Sequence, residues 1–342
     1  MKKERIKWID IIKGLAIISV IYLHVHTIDN IDKGFDGYLI KWITSFHMSL
    51  FFACAGYFFE YNVEVKKYKI KNKAKSLIIP YVVWGIVIGF LLNYIKEILT
   101  DKTFNWSLSI IRIITFRESY LATWFLFTLF GVYIVEYIIA YFFKKLNLAL
   151  RKDVNILLLG IHIFLLVTGY IISKLDFGNY FRFSKILISS FFFELGYFIK
   201  LALKYEDKKN LYFIISILLG LLGTIIVLIN GRVTFSDNIY QNPVLALIGC
   251  ISLICSMFYL VKIGYEKINE NKINSFLEWF GRNSIIILPT HMIIILFVRM
   301  IEKPFKLQSN WLIVFMEFII VIIVQAIIIK ILPKKALKLY GK

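Results

Sequence analysis

The sequence predicts an all-α, polytopic membrane protein with about ten transmembrane helices and with both termini in the cytoplasm. Three observations support this fold class: the composition, the length of the apolar runs and the placement of the basic residues. Of the 342 residues, 59% are hydrophobic and 18% are charged, whereas about a quarter of the residues in a soluble domain are charged. The long apolar runs exclude disorder, and the three cysteines within them are expected to be reduced thiols.

Ten apolar stretches are long enough to span a membrane, because a helix needs about 20 mostly apolar residues to cross a hydrocarbon core of about 30 Å. In chain order they cover residues 8–25, 38–59, 77–98, 121–143, 154–173, 185–203, 211–230, 243–261, 284–301 and 311–332. Between them we recognise no soluble domain, internal repeat or long linker. Residues 1–342 are therefore expected to form a single transmembrane domain.

The basic residues set the expected orientation, since cytoplasmic loops retain lysine and arginine. With the N-terminus in the cytoplasm, the loops on that side carry about twice as many basic residues as the opposite loops. The formal net charge of +19 is thus interpreted as a topology signal plus attraction to anionic membrane lipids. Nucleic acid is not an expected partner.

The first span carries the most informative polar residues. Asp10 and Lys13 are three positions apart and can pair. Lys13 and His24 are eleven apart, which returns them to within roughly 20° of one helix face and separates them by about 16 Å along the axis. An ionisable side chain at membrane depth costs about 2.5–3.5 kcal/mol on insertion scales. This face therefore indicates a functional site.

The spacing suits a long anionic donor whose charged end stays at the cytoplasmic side while its reactive end reaches the bundle interior. Acyl-CoA has this shape. His24 is then the candidate catalytic base, which would take a proton from an acceptor hydroxyl that attacks the thioester. The alternative is a histidine that bonds a backbone carbonyl, together with a lysine that snorkels to the interface.

Four further residues are candidates for binding the acceptor substrate. His47 is expected at a depth similar to that of His24, and Glu194 lies in the middle of the sixth span. His291 follows Pro289, which can kink the ninth span. Trp124 lies at the outer boundary of the fourth span, where an aromatic anchor at the membrane interface is the simpler interpretation. Packing or structural hydrogen bonds remain the alternative for the other three.

Basic residues on the cytoplasmic side are candidates for holding the donor's phosphates. A run of six lysines between residues 66 and 75 includes Lys73 and Lys75. Arg282 and Asn283 end a loop where a helix begins, so Asn283 is expected to be a structural partner as an N-cap, and Arg282 is a candidate anion contact. No metal-binding motif occurs, and no metal is expected.

Short motifs recur in order along the chain, and together they point to a family. They are Arg5, Trp8, Ile9, Asp10, Lys13, Gly14 and His24; Phe46, His47, Met48, Leu50, Phe51, Phe52, Gly56 and Tyr57; Leu77, Pro80, Tyr81 and Trp84; Trp124, Phe125 and Leu126; and Gly281, Arg282, Asn283, Ser284 and His291. In this order the chain resembles the acyltransferase 3 family of integral-membrane O-acyltransferases, especially its fucose 4-O-acetylase-like branch.

The resemblance implies that His24 is the catalytic histidine and that Lys13 holds the position where many members have arginine. It also implies transfer of an acetyl or related group from cytoplasmic acyl-CoA to a hydroxyl of a cell-surface glycan or its lipid-linked sugar precursor, in a bacterial plasma membrane. Acetyl-CoA is then the expected co-substrate. Trp124 would stack on the sugar. Ser49 and Ala55 depart from the family's pattern, which has proline and serine there.

Two other classes of protein remain open at this point. A transporter or flippase of a lipid-linked glycan would use intramembrane histidines and glutamates as proton or substrate sites, although paired broken helices and repeated halves are not recognised. An inactive family member in a glycan-synthesis complex would bind partners without turnover.

Overall fold

The computed structural model describes residues 5–28, 34–61, 67–100, 107, 111, 123–148, 153–175, 182–204, 209–235, 238–268, 271–302, 311–333 and 336–340. Within these ranges lie eleven α-helices: α1 (Lys7–Ile28), α2 (Gly34–Tyr57), α3 (Lys67–Thr100), α4 (Trp124–Lys145), α5 (Val154–Ser173), α6 (Phe183–Ala202), α7 (Lys209–Asn230), α8 (Pro243–Ile268), α9 (Lys272–Arg282), α10 (Ser284–Glu302) and α11 (Trp311–Ile331). The all-α prediction is confirmed.

Nine of these helices are long and apolar enough to cross a membrane, so the protein is a multi-pass membrane protein. The other two are α6 and the short helix α9. Helix α6 has the length of the predicted sixth span but contains three ionisable residues: Lys185, Glu194 and Lys200. The expected cytoplasmic position of the termini stays a prediction.

Two helices differ from the boundaries expected from hydropathy. Helix α3 begins at Lys67, ten residues before the predicted third span, so most of the lysine run lies on a helix. Helix α9 occupies a segment predicted to be a loop. Its first turn is capped by Asn271, whose side-chain oxygen accepts a hydrogen bond from the backbone N–H of Asn274 at 2.6 Å. Helix α9 is too short and too polar on one side for a hydropathy criterion to detect.

The chain divides into two compact units. The first comprises Met1–Phe58, Phe192–Ile287 and Ile294–Ile329. In it α1 packs against α2 and α9, and α7 packs against α8. Small residues allow close backbone approach: a Cβ at Gly14 would overlap the carbonyl oxygen of Leu277, and one at Gly281 would overlap that of Asp10. The main chains of α1 and α9 are therefore in direct contact.

The second unit comprises Phe59–Phe191, Leu288–Ile293 and Lys330–Lys342. In it α3 packs against α4 and against a 3₁₀ helix, Ala336–Tyr340. Tyr340 is only 2% exposed, and its ring centroid lies 5.0 Å from that of Trp84 in α3. The 3₁₀ helix is thus packed against α3 within this unit.

Candidate active site

Asp10 of α1 is the centre of a cluster of three cations. Its carboxylate is 5% exposed, and it accepts a hydrogen bond from Arg5 Nε at 2.5 Å. Lys13 Nζ lies 3.4 Å from the same carboxylate, and Arg282 Nε lies 3.9 Å from it. Arg282 also donates to Glu278, one turn earlier on α9. Three cations and two carboxylates therefore form one network with a surplus of positive charge.

The packing of α1 on α9 explains how Arg282 reaches Asp10 across 272 positions of sequence. Gly281 immediately precedes Arg282 and lies against the main chain of Asp10. Because neither Gly14 nor Gly281 has a side chain, the two helices approach closely enough for an arginine on one to contact a carboxylate on the other. The predicted donor residues Lys13 and Arg282 are brought together in this way.

His24 lies about one turn before the C-terminal end of α1, and His47 lies near the middle of α2. Both imidazoles are partly buried. Nearby, Leu23 of α1 packs with Ile40 and Ile43 of α2. With the rise of about 1.5 Å per residue, His24 is about 16 Å along α1 from Lys13. The first unit therefore holds a cation cluster at the start of α1, completed by Arg282 of α9, and two imidazoles on α1 and α2.

The tautomer of His47 is fixed by its backbone neighbour. Its Nδ1 lies 2.9 Å from the carbonyl oxygen of Ile43. A carbonyl only accepts hydrogen bonds, so Nδ1 carries the hydrogen and donates it. In neutral His47 the lone pair is therefore on Nε2, which is the nitrogen able to accept a hydrogen bond from a substrate hydroxyl.

The remaining predicted acceptor residues are buried. Glu194 is 1% exposed on α6 in the first unit, between Phe193 and Gly196, which both lie against the backbone of α2. Trp124 is 6% exposed and His291 is fully buried, and both belong to the second unit. Trp124 is thus packed within protein and is not displayed as an interfacial anchor.

The predicted cytoplasmic residues are placed as follows. Lys73 lies over the ring of Tyr133, with Nζ 3.8 Å from the ring centroid, and Lys75 is exposed; both are on α3 in the second unit. Asn283 links two helices. Its side-chain amide donates to the carbonyl oxygen of Trp279, and its own carbonyl accepts from the N–H of Ile286 at 2.8 Å. Lys66, which begins the lysine run, is outside the described residues.

Sequence reasoning missed a second polar cluster in the first unit. Tyr22 donates to Asp36 at 3.1 Å, and His26 Nε2 lies 3.9 Å from the same carboxylate. His26 Nδ1 donates to the carbonyl oxygen of Tyr22 at 2.9 Å. The one available signal was the spacing of Tyr22 and His26, which share a helix face four residues apart.

Sequence reasoning also gave no role to a buried triad in the second unit. Tyr61 donates to Glu136 at 2.6 Å, and His162 Nε2 lies 3.1 and 3.2 Å from the two carboxylate oxygens. His162 Nδ1 donates to the carbonyl oxygen of Leu158 at 2.8 Å. Glu136 and His162 are both 0% exposed. Their positions in the middle of consecutive spans were the signal that could have found this pair.

The described residues contain no group of three or more histidine, cysteine or carboxylate side chains arranged to hold a metal ion. Their chemistry is that of imidazoles, cations and hydrogen-bonding carboxylates. Imidazoles can move protons near neutral pH, and clustered cations can bind an anionic group. Fold and site together define a multi-pass helical membrane protein whose first unit holds two imidazoles and a cluster of cations around one carboxylate.

The chain belongs to the acyltransferase 3 family: the model of that family, described as an acyltransferase domain, matches residues 6–330. Comparison with curated proteins and with solved structures gives no match. The predicted family is confirmed over most of the chain, and membership implies an acyl donor and an acceptor.

Proposed function

We propose that this protein transfers an acetyl or related acyl group from cytoplasmic acyl-CoA to a hydroxyl of a cell-surface glycan or its lipid-linked sugar precursor. The proposal places it in the fucose 4-O-acetylase-like branch and in a bacterial plasma membrane. The observation that carries it is the arrangement on α1, where the Asp10–Lys13 pair and His24 are about 16 Å apart. An extended thioester can stretch between a cation cluster and an imidazole at this separation.

In the proposed reaction His24 acts as the general base. It takes the proton of the acceptor hydroxyl as the hydroxyl oxygen attacks the thioester carbonyl, and a new ester bond forms. The carbon–sulfur bond then breaks, and the leaving thiolate receives the proton from the His24 imidazolium. The products are the acylated sugar and CoA thiol, so the histidine is restored without any other reactant.

The other residues bind and orient the substrates in this proposal. Lys13 and Arg282 hold donor phosphates, and the same role is assigned to Lys73 and Lys75. His47 accepts a hydrogen bond from the acceptor at Nε2, because its Nδ1 is committed to Ile43. Further contacts with the acceptor are assigned to three residues: Trp124, Glu194 and His291.

The test is a His24→Ala variant assayed in membranes with labelled acetyl-CoA and with analysis of surface glycan esters in a complemented deletion strain. We expect transfer to fall by at least about a hundredfold, since general bases contribute typically 10²–10⁴-fold, while binding of acetyl-CoA persists. His26→Asn is the matched control, because the asparagine amide can still donate a hydrogen bond to the carbonyl oxygen of Tyr22. Undiminished glycan acylation in an inserted His24→Ala protein contradicts the assignment.

A transporter or flippase of a lipid-linked glycan is the competing function. The buried Glu136–His162 pair favours it, because intramembrane acid and imidazole groups often serve as proton sites in transporters. Two measurements separate the functions. Saturable acetyl-CoA binding with ester formation supports the enzyme, whereas translocation in vesicles without acetyl-CoA binding supports the rival.

A further inference from the structure

Phe58 is an exposed aromatic side chain beside the cation cluster around Asp10. It follows Tyr57, the last residue of α2, and it is 44% exposed. Lys13 Nζ lies 5.3 Å from the centroid of its ring. The ring of Tyr57 meets it edge-on at 5.6 Å and in turn contacts Trp8 at 5.3 Å. Phe58 is therefore held from behind by aromatic packing while part of its surface stays open.

Arg5 is the most exposed member of the cation cluster. Its side chain is 56% exposed, compared with 26% for Lys13 and 39% for Arg282. One nitrogen, Nε, donates to Asp10, and a guanidinium has five N–H donors in all. Arg5 can thus contact a phosphate without leaving Asp10. Planar, bidentate binding of phosphate is what arginine does better than lysine.

We propose that Phe58 and Arg5 bind the nucleotide end of the acyl donor, a 3′-phosphorylated adenosine diphosphate group. The adenine stacks on the open part of the Phe58 ring, and Arg5 binds the 3′-phosphate. Lys13, between the ring and the carboxylate of Asp10, contacts the diphosphate. This inference rests on the proposed function, because it takes acyl-CoA as the donor.

The physical basis is that the base and the phosphates of a nucleotide bind to different kinds of surface. Because both are attached to one ribose, the two surfaces must lie about the width of a ribose apart. An aromatic ring recognises any base by stacking, and cations recognise phosphate by charge. Lys13 touches both surfaces, because it lies over Phe58 and beside Asp10. Asp10 holds the cations in position before the donor arrives, since like charges would otherwise spread apart.

A lipid-facing role for Phe58 makes a different prediction from a stacking role. Acyl chains are contacted equally well by leucine, whereas stacking on adenine requires a flat ring. Substitution by leucine and by tryptophan therefore separates the two roles. Tyr38 supplies a matched control: it lies near the other end of α2, is 57% exposed, and has Lys41 Nζ 5.5 Å from its ring centroid.

The experiment measures the binding of CoA, 3′-dephospho-CoA and pantetheine to the purified full chain in nanodiscs. We expect Phe58→Leu to weaken CoA binding about five- to hundredfold, the range for losing one stacked base, and Phe58→Trp to retain it. Arg5→Ala should weaken CoA binding more than that of 3′-dephospho-CoA. Tyr38→Leu should leave all three affinities unchanged.

The possible failures are distinguishable. If the wild-type chain binds no CoA, the proposed function falls with this inference. If it binds CoA but Phe58→Leu binds equally well, the inference is overturned and the proposed function stands. If Phe58→Leu fails to fold, the wild-type ligand series decides: pantetheine binding as tight as CoA binding overturns the inference, and much weaker pantetheine binding supports it.

Discussion

Gly281 of α9 lies so close to Asp10 of α1 that the carbonyl oxygen of Asp10 occupies the space a side chain would need. This contact fixes the position of the next residue, Arg282, along α1, and therefore the distance of its side chain from the Asp10 carboxylate. The position of one glycine thus decides the geometry of the cation cluster.

We predict that Gly281→Ala separates α1 from α9 and weakens the binding of acetyl-CoA. The added methyl group overlaps backbone atoms, which cannot move aside as a flexible side chain can. The expected cost in folding free energy is about 1–3 kcal/mol, as for overpacked interiors, and it is measured by thermal unfolding in detergent together with acetyl-CoA affinity.

Gly264→Ala is the control for this substitution. Gly264 is also helical, in α8, but among the described residues no atom lies within 4 Å of where its Cβ would be. Alanine in a helix is favoured over glycine by about 1 kcal/mol, so this variant should be as stable as the wild type or slightly more so. Equal unfolding temperatures and affinities for the two variants would show that the α1–α9 contact is unimportant.

Asp10→Asn is predicted to disorder the cation cluster while retaining shape. The carboxylate is nearly buried and receives a charge-assisted hydrogen bond from Arg5. Hydrogen bonds to charged groups contribute about 1.5–3 kcal/mol each, so stability should fall by about 2 kcal/mol. Affinity for acetyl-CoA should fall as well, because Arg5, Lys13 and Arg282 then repel one another without a common partner.

The decisive measurement is the salt dependence of acetyl-CoA binding in wild type and Asp10→Asn. In the wild type, binding is expected to weaken as salt rises, since exposed charges are screened. If Asp10 only repels the anionic donor, Asp10→Asn should bind acetyl-CoA more tightly than the wild type does. That result would contradict a role for Asp10 in holding the cation cluster together.

Glu136→Leu is predicted to destabilise the second unit strongly, and Glu136→Gln much less. Leucine leaves His162 and Tyr61 buried beside an apolar side chain, and removing one partner of a buried charged pair costs about 3–5 kcal/mol. Glutamine still accepts from Tyr61 and can donate an N–H to neutral His162. Thermal unfolding of the two variants checks this order.

The same two variants test the role of the triad in turnover. If Glu136→Gln folds normally and acylates at the wild-type rate, the triad stabilises the fold and takes no part in turnover. Loss of translocation in vesicles with normal folding would instead support the transporter. The matched apolar control is Ile138→Leu, at an exposed position two residues along α4.

The spans could be predicted because hydrophobic length is a local property of the sequence. Helix α9 could not, since 11 residues with one polar side resemble a loop to any criterion based on membrane thickness. Likewise, the lysine run was expected in a loop because charge lowers local hydropathy, although lysine is a good helix former and α3 continues through the run.

Part of the candidate site could also be predicted from one helix. Asp10, Lys13 and His24 follow from helical spacing alone. The contribution of Arg282 depends on two glycines in separate helices, and that of Asp36 to the Tyr22–His26 pair depends on how α1 meets α2. Such contacts are set by tertiary packing, which spacing within one helix does not encode.

The charges of α6 have a consequence for how the chain is made. Glu194 lies in mid-helix, where release into lipid alone would cost about 2.5–3.5 kcal/mol on insertion scales. Its neighbours Phe193 and Gly196 lie against the backbone of α2, which is synthesised much earlier. We therefore expect α6 to be inserted beside α2 and not alone, because α2 covers the helix around the buried carboxyl group.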